Sequence, residues 1–220
     1  MRLITLTFFC FIILFEVKPQ AYQWDVENNG AIEIHRVLMD SNYFIETVFS
    51  DKPSKFISTR GGFYESKSNV IHVQFEFNSN YLKDSLVKAE IRIPNIGKEI
   101  SKPKLPLDGK WLMAGRVNNE GEERRRDTKR SRKTLKFLID GYFQWTAYNT
   151  ETFKFYGSGG GKYNAKDGKY SESIEYFSRD NSRSGKTLSF SFNQEQNDWY
   201  HKGFSSQGKP LHEIWTLRND

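Results

Sequence analysis

Cysteine is all but missing from the chain: of 220 residues only Cys10 is one. It lies inside the single long apolar run. The remainder therefore forms no internal disulfide, carries no thiolate nucleophile and offers no cysteine to a metal. Helical periodicity is lacking too. After residue 21 no convincing amphipathic helix can be drawn, and no second apolar run has the length of a membrane-spanning helix. A Gly-x-Ser-x-Gly elbow and a Gly-x4-Gly-Lys-Ser/Thr phosphate loop are both absent. About 200 residues without crosslinks must be stabilised by a core of their own.

The opening residues predict a secretory signal peptide. Arg2 supplies a basic start, an apolar run covers 6–15, and Ala21 is the small residue at which cleavage is placed. Residues 1–21 are thus expected to be removed, leaving a secreted or periplasmic protein of the cell envelope with no transmembrane segment. No small-residue lipoprotein box precedes Cys10. The full chain has a net charge of +6, and losing Arg2, Glu16 and Lys18 lowers this by one. On an envelope protein a basic surface points to an anionic glycolipid or polysaccharide rather than to nucleic acid.

Aromatic residues are plentiful at 15%, and they favour strands. The stretch from Tyr43 resembles the stretch from Tyr142. At an ungapped offset of 99, ten of 35 positions are identical, among them Tyr43/Tyr142, Gly61/Gly160, Gly62/Gly161, Tyr64/Tyr163 and Glu76/Glu175. Similarity at one fixed offset reads as two related units in tandem. The second predicts eight strands near 110–118, 133–140, 142–149, 153–163, 169–178, 186–193, 198–204 and 211–218. Asp140-Gly141 and Asp167-Gly168 suit two-residue hairpin turns. Eight antiparallel strands in order close into an up-and-down barrel. The first unit offers strands near 31–39, 43–50, 54–65, 69–78 and 85–93, with a weak one at "YQWDV". It reads as an incomplete barrel leaning on its partner. "FYGSGGGKY" is then a strand. The glycine pair shared by both units predicts a bend, a bulge or close packing.

Several stretches carry a family resemblance: "PLDGKWLMAGRV", "RKTLKFLIDGYFQWTAYNTETFKFYGSGGGKY", "SIEYFSRDNSRSG" and "GFSSQGKPLHEIW". They resemble bacterial lipocalin-like secreted proteins, which carry two lipocalin-like repeats behind a signal peptide. The likeness covers nearly all of 105–218 and is weaker over 22–100. It implies a fold and secretion, and no reaction. "DGKW" is similar to the Gly-x-Trp of lipocalins, which implies that Trp111 plugs the barrel floor. The expected architecture is all-β: a shortened lipocalin-like unit at 22–98, a linker at 99–108, and an antiparallel up-and-down lipocalin-like barrel at 109–220.

Candidate functional residues follow from alternation. At offset 99 the apolar stripe Ile71, Val73, Phe75, Phe77 becomes Tyr170, Glu172, Ile174, Tyr176. These four, with Phe190 from the next strand, are expected to line one inner wall of the barrel. Trp145 and Trp215 are further candidates. An inward Glu172 needs a ligand, water or an interior cation beside it. Arg124, Arg125, Arg126, Arg130 and Arg132 lie in a basic stretch expected over the barrel mouth. They read either as a solvated loop or as a contact for an anionic surface. Arg179, Arg183 and Lys186 offer a grip for a carboxylate or sulfate, or a plain polar hairpin. His201 and His212 share a face if the last two strands pair simply. No third ligand lies near them, so no metal and no cofactor is expected. The reading favours a non-enzymatic binder of a small, partly apolar ligand. Its alternative is a structural or protein-interaction module with side-chain-filled barrels.

Overall fold

A computed structural model describes residues 19–92 and 97–219. The expected signal peptide falls outside these residues up to position 18, as does residue 93 of the fifth expected strand. The described chain is all-β, in two sheets.

The first sheet holds β1 (Gln20–Asn28), β2 (Ala31–Met39), β3 (Tyr43–Asp51), β4 (Ser54–Lys67), β5 (Val70–Asn78), β6 (Lys88–Arg92) and β7 (Lys98–Glu99). It curls without closing, in the order β6-β5-β4-β3-β2-β1-β7. The weak strand at "YQWDV" is in fact a full nine residues, paired with β2 from Gln20↔Met39 to Asn28↔Ala31. A one-turn helix, α1 (Tyr81–Asp84), interrupts the path to β6 and was not foreseen.

The second sheet holds β8 (Gly109–Val117), β9 (Glu123–Arg125), β10 (Arg132–Ile139), β11 (Tyr142–Asn149), β12 (Phe155–Lys166), β13 (Lys169–Phe177), β14 (Thr187–Glu195), β15 (Asp198–Phe204) and β16 (Pro210–Leu217). Eight of them close into an antiparallel up-and-down barrel, because β8 pairs with β16 on one side and with β10 on the other. Full closure removes the exposed edges. β9 takes over the flank of β8 where β10 leaves it. Asp140 and Gly141 both have positive φ, as do Asp167 and Gly168, which is what a tight hairpin turn requires.

The segment between the units is built into both. Ile100 N–H donates to Ala21 O at 2.8 Å, and Ala21 N–H donates to Ser101 Oγ at 3.0 Å. Ala21 is fully buried within β1, so a chain beginning at Tyr22 would lack the first two residues of that strand. Leu107 lies buried under the barrel and accepts the Trp111 indole N–H at 2.9 Å.

The two units match in irregular detail. β3 and β4 slip register between Val48 and Phe49, and β11 and β12 between Ala147 and Tyr148. A second slip falls at Gly61/Gly62 and again at Gly160/Gly161. All are 99 residues apart. The glycine pairs occupy these bulges because nothing larger fits. A Cβ on Gly62 would stand 2.0 Å from Gln74 O, and one on Gly161 would stand 2.0 Å from Ser173 O. Side-chain bonds repeat as well. Thr59 Oγ1 donates to Glu46 O at 2.9 Å, and Ser158 Oγ donates to Trp145 O at 2.7 Å.

The units meet through their equivalent outer faces. Phe49 packs on Tyr176 at 4.6 Å, and Phe77 packs on Tyr148 at 4.9 Å. These are the same two positions with the units exchanged. Phe56 stacks on its own counterpart Phe155 at 5.9 Å, as expected where a pseudo-twofold axis passes. Leu38, Ile45, Leu135, Phe137 and Ile139 fill the junction. The matched glutamates are each gripped by an arginine of the other unit. Glu76 takes both Nη groups of Arg218, at 2.8 and 2.9 Å, with the hydroxyls of Tyr43 and Tyr148. Glu175 pairs with Arg36. Burial alone would raise the Glu76 pKa, but the Arg218 bonds and charge together with the two hydroxyls bring it below the usual carboxylate value.

Candidate functional site

The barrel interior divides into two halves. At the floor, Trp111, Phe143, Tyr163, Tyr170 and Trp199 pack into a buried cluster with Leu107 and Leu138. Trp111 sits in this floor cluster, edge-on to Trp199 at 5.6 Å. The other half holds a cavity of about 420 Å³ that reaches the mouth. Its apolar walls include Trp145, Ile174, Phe177, Leu188, Phe190 and Trp215. A larger concavity of about 660 Å³ lies outside the barrel, over Ser171, Ser189 and Ser191. It is an open groove lined also by the exposed Lys166, Asp167 and Lys169, and no ionic group is buried in it.

Two ionic pairs stand at the base of the cavity. Lys136 Nζ lies 2.7 Å from Glu172 Oε1, and the Tyr170 hydroxyl donates to the same oxygen at 2.7 Å. Both charged side chains are buried. The ammonium also sits 4.8 Å from the Trp215 ring centre and 5.3 Å from that of Trp199, where ring quadrupoles favour a cation. The second pair is His201 Nε2 with Glu213 at 3.0 Å, and Arg116 lies 3.4 Å from the other Glu213 oxygen. Burial opposes ionisation of Glu213. The His201 bond and the charges of His201, Lys136 and Arg116 outweigh it and bring its pKa to about 2. Burial also pushes His201 down, against the pull of Glu213, and Lys136 adds to the fall. His201 is therefore neutral at pH 7. We assign the tautomer in which Nε2–H donates to Glu213, which leaves Nδ1 a buried acceptor with no partner among the described residues. The indole N–H of Trp215, another cavity residue, also has none.

The expected wall forms in part. Glu172, Ile174, Phe190, Trp145 and Trp215 line the cavity. Tyr170 points inward but belongs to the floor. Tyr176 points out of the barrel and packs on Phe49, with its hydroxyl on Gln144. The bulge is the reason. Gly161 pairs with Ile174 and Gly160 with Tyr176, so Glu175 is an extra residue and every side chain beyond it changes face. Phe177 enters the cavity in place of Tyr176. His201 and His212 also lie on opposite faces, because His212 pairs with Lys202 while His201 pairs with Glu213.

The basic stretch splits three ways. Arg125 is held by Glu123, Asp198 and the Tyr200 hydroxyl. Arg124 and Arg130 are exposed on the outside. Arg126 and Arg132 turn to the cavity mouth, where Arg116, Arg179 and Arg183 join them. Lys186 does not line it. Lys136, Arg116 and Phe177 were absent from the sequence-based candidates. No family model matches the chain, and no curated protein is similar to it. Among the described residues no helix is long and apolar enough to cross a membrane.

Proposed function

We propose that the protein is a non-enzymatic binder of a small, partly apolar molecule, which it takes into the mouth half of the second barrel. The cavity of about 420 Å³ carries this reading. Its size falls in the range of small-molecule sites, and aromatic walls with a few convergent polar groups are typical of them. Glu172 is occupied by Lys136 and Tyr170, so it holds the interior together and does not wait for a cationic ligand. The signal-like start of the chain supports a secreted or periplasmic setting. The shared offset of bulges and bonds supports an origin of the two units as tandem lipocalin-like copies. The filled floor favours the alternative, a structural or protein-interaction module of the envelope, for that half of the barrel only.

Native mass spectrometry of protein purified from its source tests the proposal. A bound mass released on unfolding is the expected result. A bare mass, with tryptophan emission unchanged across a panel of apolar compounds, would return the whole barrel to the alternative.

A further inference from the structure

The charge at the mouth goes beyond what the barrel needs. The cavity is lined by five arginines and Lys136 against Glu172 and Glu213, a surplus of four positive charges with His201 neutral. Asp180, which pairs with Arg183 from outside the lining, reduces it to three. The deep charges are matched within the interior. At the rim, Arg116 and Arg183 are answered by Glu213 and Asp180, and three arginines are not. Arg126, Arg132 and Arg179 have no carboxylate within ion-pair distance among the described residues.

Each is nevertheless held in place. Arg126 Nε donates to Met113 O at 2.6 Å, and Arg179 Nε donates to Tyr156 O at 2.7 Å. The Arg132 guanidinium stacks 4.1 Å from the Tyr156 ring centre. Their terminal Nη groups make no hydrogen bond among the described residues. These are positioned, empty forks of the kind that bind carboxylate, sulfate or phosphate oxygens. They also repel one another. Partial desolvation of the guanidinium end lowers the Arg126 pKa first, and the charges of Arg116 and Arg132 lower it further.

The fold does not demand this. Ninety-nine residues earlier, Arg179 and Arg183 correspond to Asn80 and Asp84, and Trp145 and Phe177 to Glu46 and Asn78. Those four line a pocket of about 180 Å³ in the first unit, where Arg60 is answered by Glu46 at 2.7 Å. The second unit alone combines aromatic walls with unanswered arginines.

We infer that the second barrel takes an amphiphile head outward, with an anionic head of carboxylate or sulfate type held by Arg126, Arg132 and Arg179 and an apolar body lying against Trp145, Phe177 and Phe190. This rests on the binding reading above and adds the sign and orientation of the ligand.

The experiment uses the full chain stripped of bound lipid and follows tryptophan emission, since Trp145 and Trp215 line the cavity. The probes are decanoate, decanol and decyltrimethylammonium. Decanoate is expected to bind at least tenfold more tightly than the other two, with an advantage that shrinks as salt rises. The triple variant Arg126→Ser, Arg132→Ser, Arg179→Ser should lose that advantage and keep its affinity for decanol. All three positions are exposed, and an unchanged melting midpoint confirms that the variant is folded. Equal binding of the three probes overturns the inference and leaves the binding reading standing. An anion preference that survives in the triple variant also overturns it. Failure of all three probes overturns both. A final arm separates a free amphiphile from a bilayer. Capture by phosphatidylglycerol vesicles with no change in tryptophan emission would make the arginines a surface contact and overturn the inference.

Discussion

Val37 and Val73 in the first unit stand where Lys136 and Glu172 stand in the second, each 99 residues on. The backbone is the same at both places: Leu38↔Ile45 in one unit corresponds to Phe137↔Gln144 in the other. Yet one pair belongs to a buried apolar cluster, and the other is a buried ion pair at the base of a cavity. One strand frame therefore tolerates either chemistry, and the choice follows from what the interior must hold. The open first sheet fills its inner face with Val, Phe and Ile. The closed barrel leaves room, and its buried charges are retained only because they answer each other.

The largest effect should come from forcing the second unit toward the first at one residue. Glu172→Val strands the Lys136 ammonium and is expected to cost about 3–5 kcal/mol in denaturant unfolding. Adding Lys136→Val recreates the first unit's pair and should recover most of that loss, since a packed apolar pair often equals or exceeds a buried ion pair. If the double variant is as unstable as the single, the equivalence of the two pairs is broken.

Next come the reciprocal arginines at the junction. Arg218→Met abandons Glu76, which is held on both oxygens and has a side chain only 14% exposed, and should cost about 3 kcal/mol. Arg36→Met abandons Glu175, whose side chain is 27% exposed and keeps Lys162 at 3.6 Å, and should cost about 1 kcal/mol. Equal losses would show that both glutamates feel the same solvent.

The smallest effect is in acid. His201 has a folded pKa below 6.5, so the unfolded chain takes up its proton first and stability falls as pH drops below about 6.5. Glu213, also depressed, adds its loss between 4.5 and about 2. The first unit's Glu46 is lowered too: burial opposes this, and the bonds from His35 and Arg60 prevail. Its loss begins only below 4.5. Hydrogen exchange should therefore show the barrel loosening before the curled sheet as the pH falls below about 6.5. His201→Gln, which keeps a donor for Glu213, should narrow that lead and leave only the smaller share from His212, which partial burial and Lys202 also hold down.

The eight barrel strands were legible because each is bounded by turn chemistry and needs only local pattern. Tyr176 was misplaced because period-2 counting continues through a bulge, although the bulge is marked in the sequence by the glycine pair opposite it. Lys136 was missed for a different reason. Its partner is 36 residues away across a closed interior, and its only mark in the sequence is the 99-residue offset that sets Lys136 against Val37. Arg126 and Arg132 were recognised as basic, but nothing local says which arginines of such a run turn inward. β9 is three charged residues without periodicity, and its pairing exists only because β10 departs from β8.

The pseudo-twofold junction has one more consequence. Two related proteins meeting through equivalent faces would form a pair whose population depends on how much of each is present. Here both faces belong to one polypeptide, and the 97–108 segment ties them at a fixed, high effective concentration. Dilution does not act on such a contact. A single proteolytic cut in that segment would convert it into an ordinary bimolecular equilibrium.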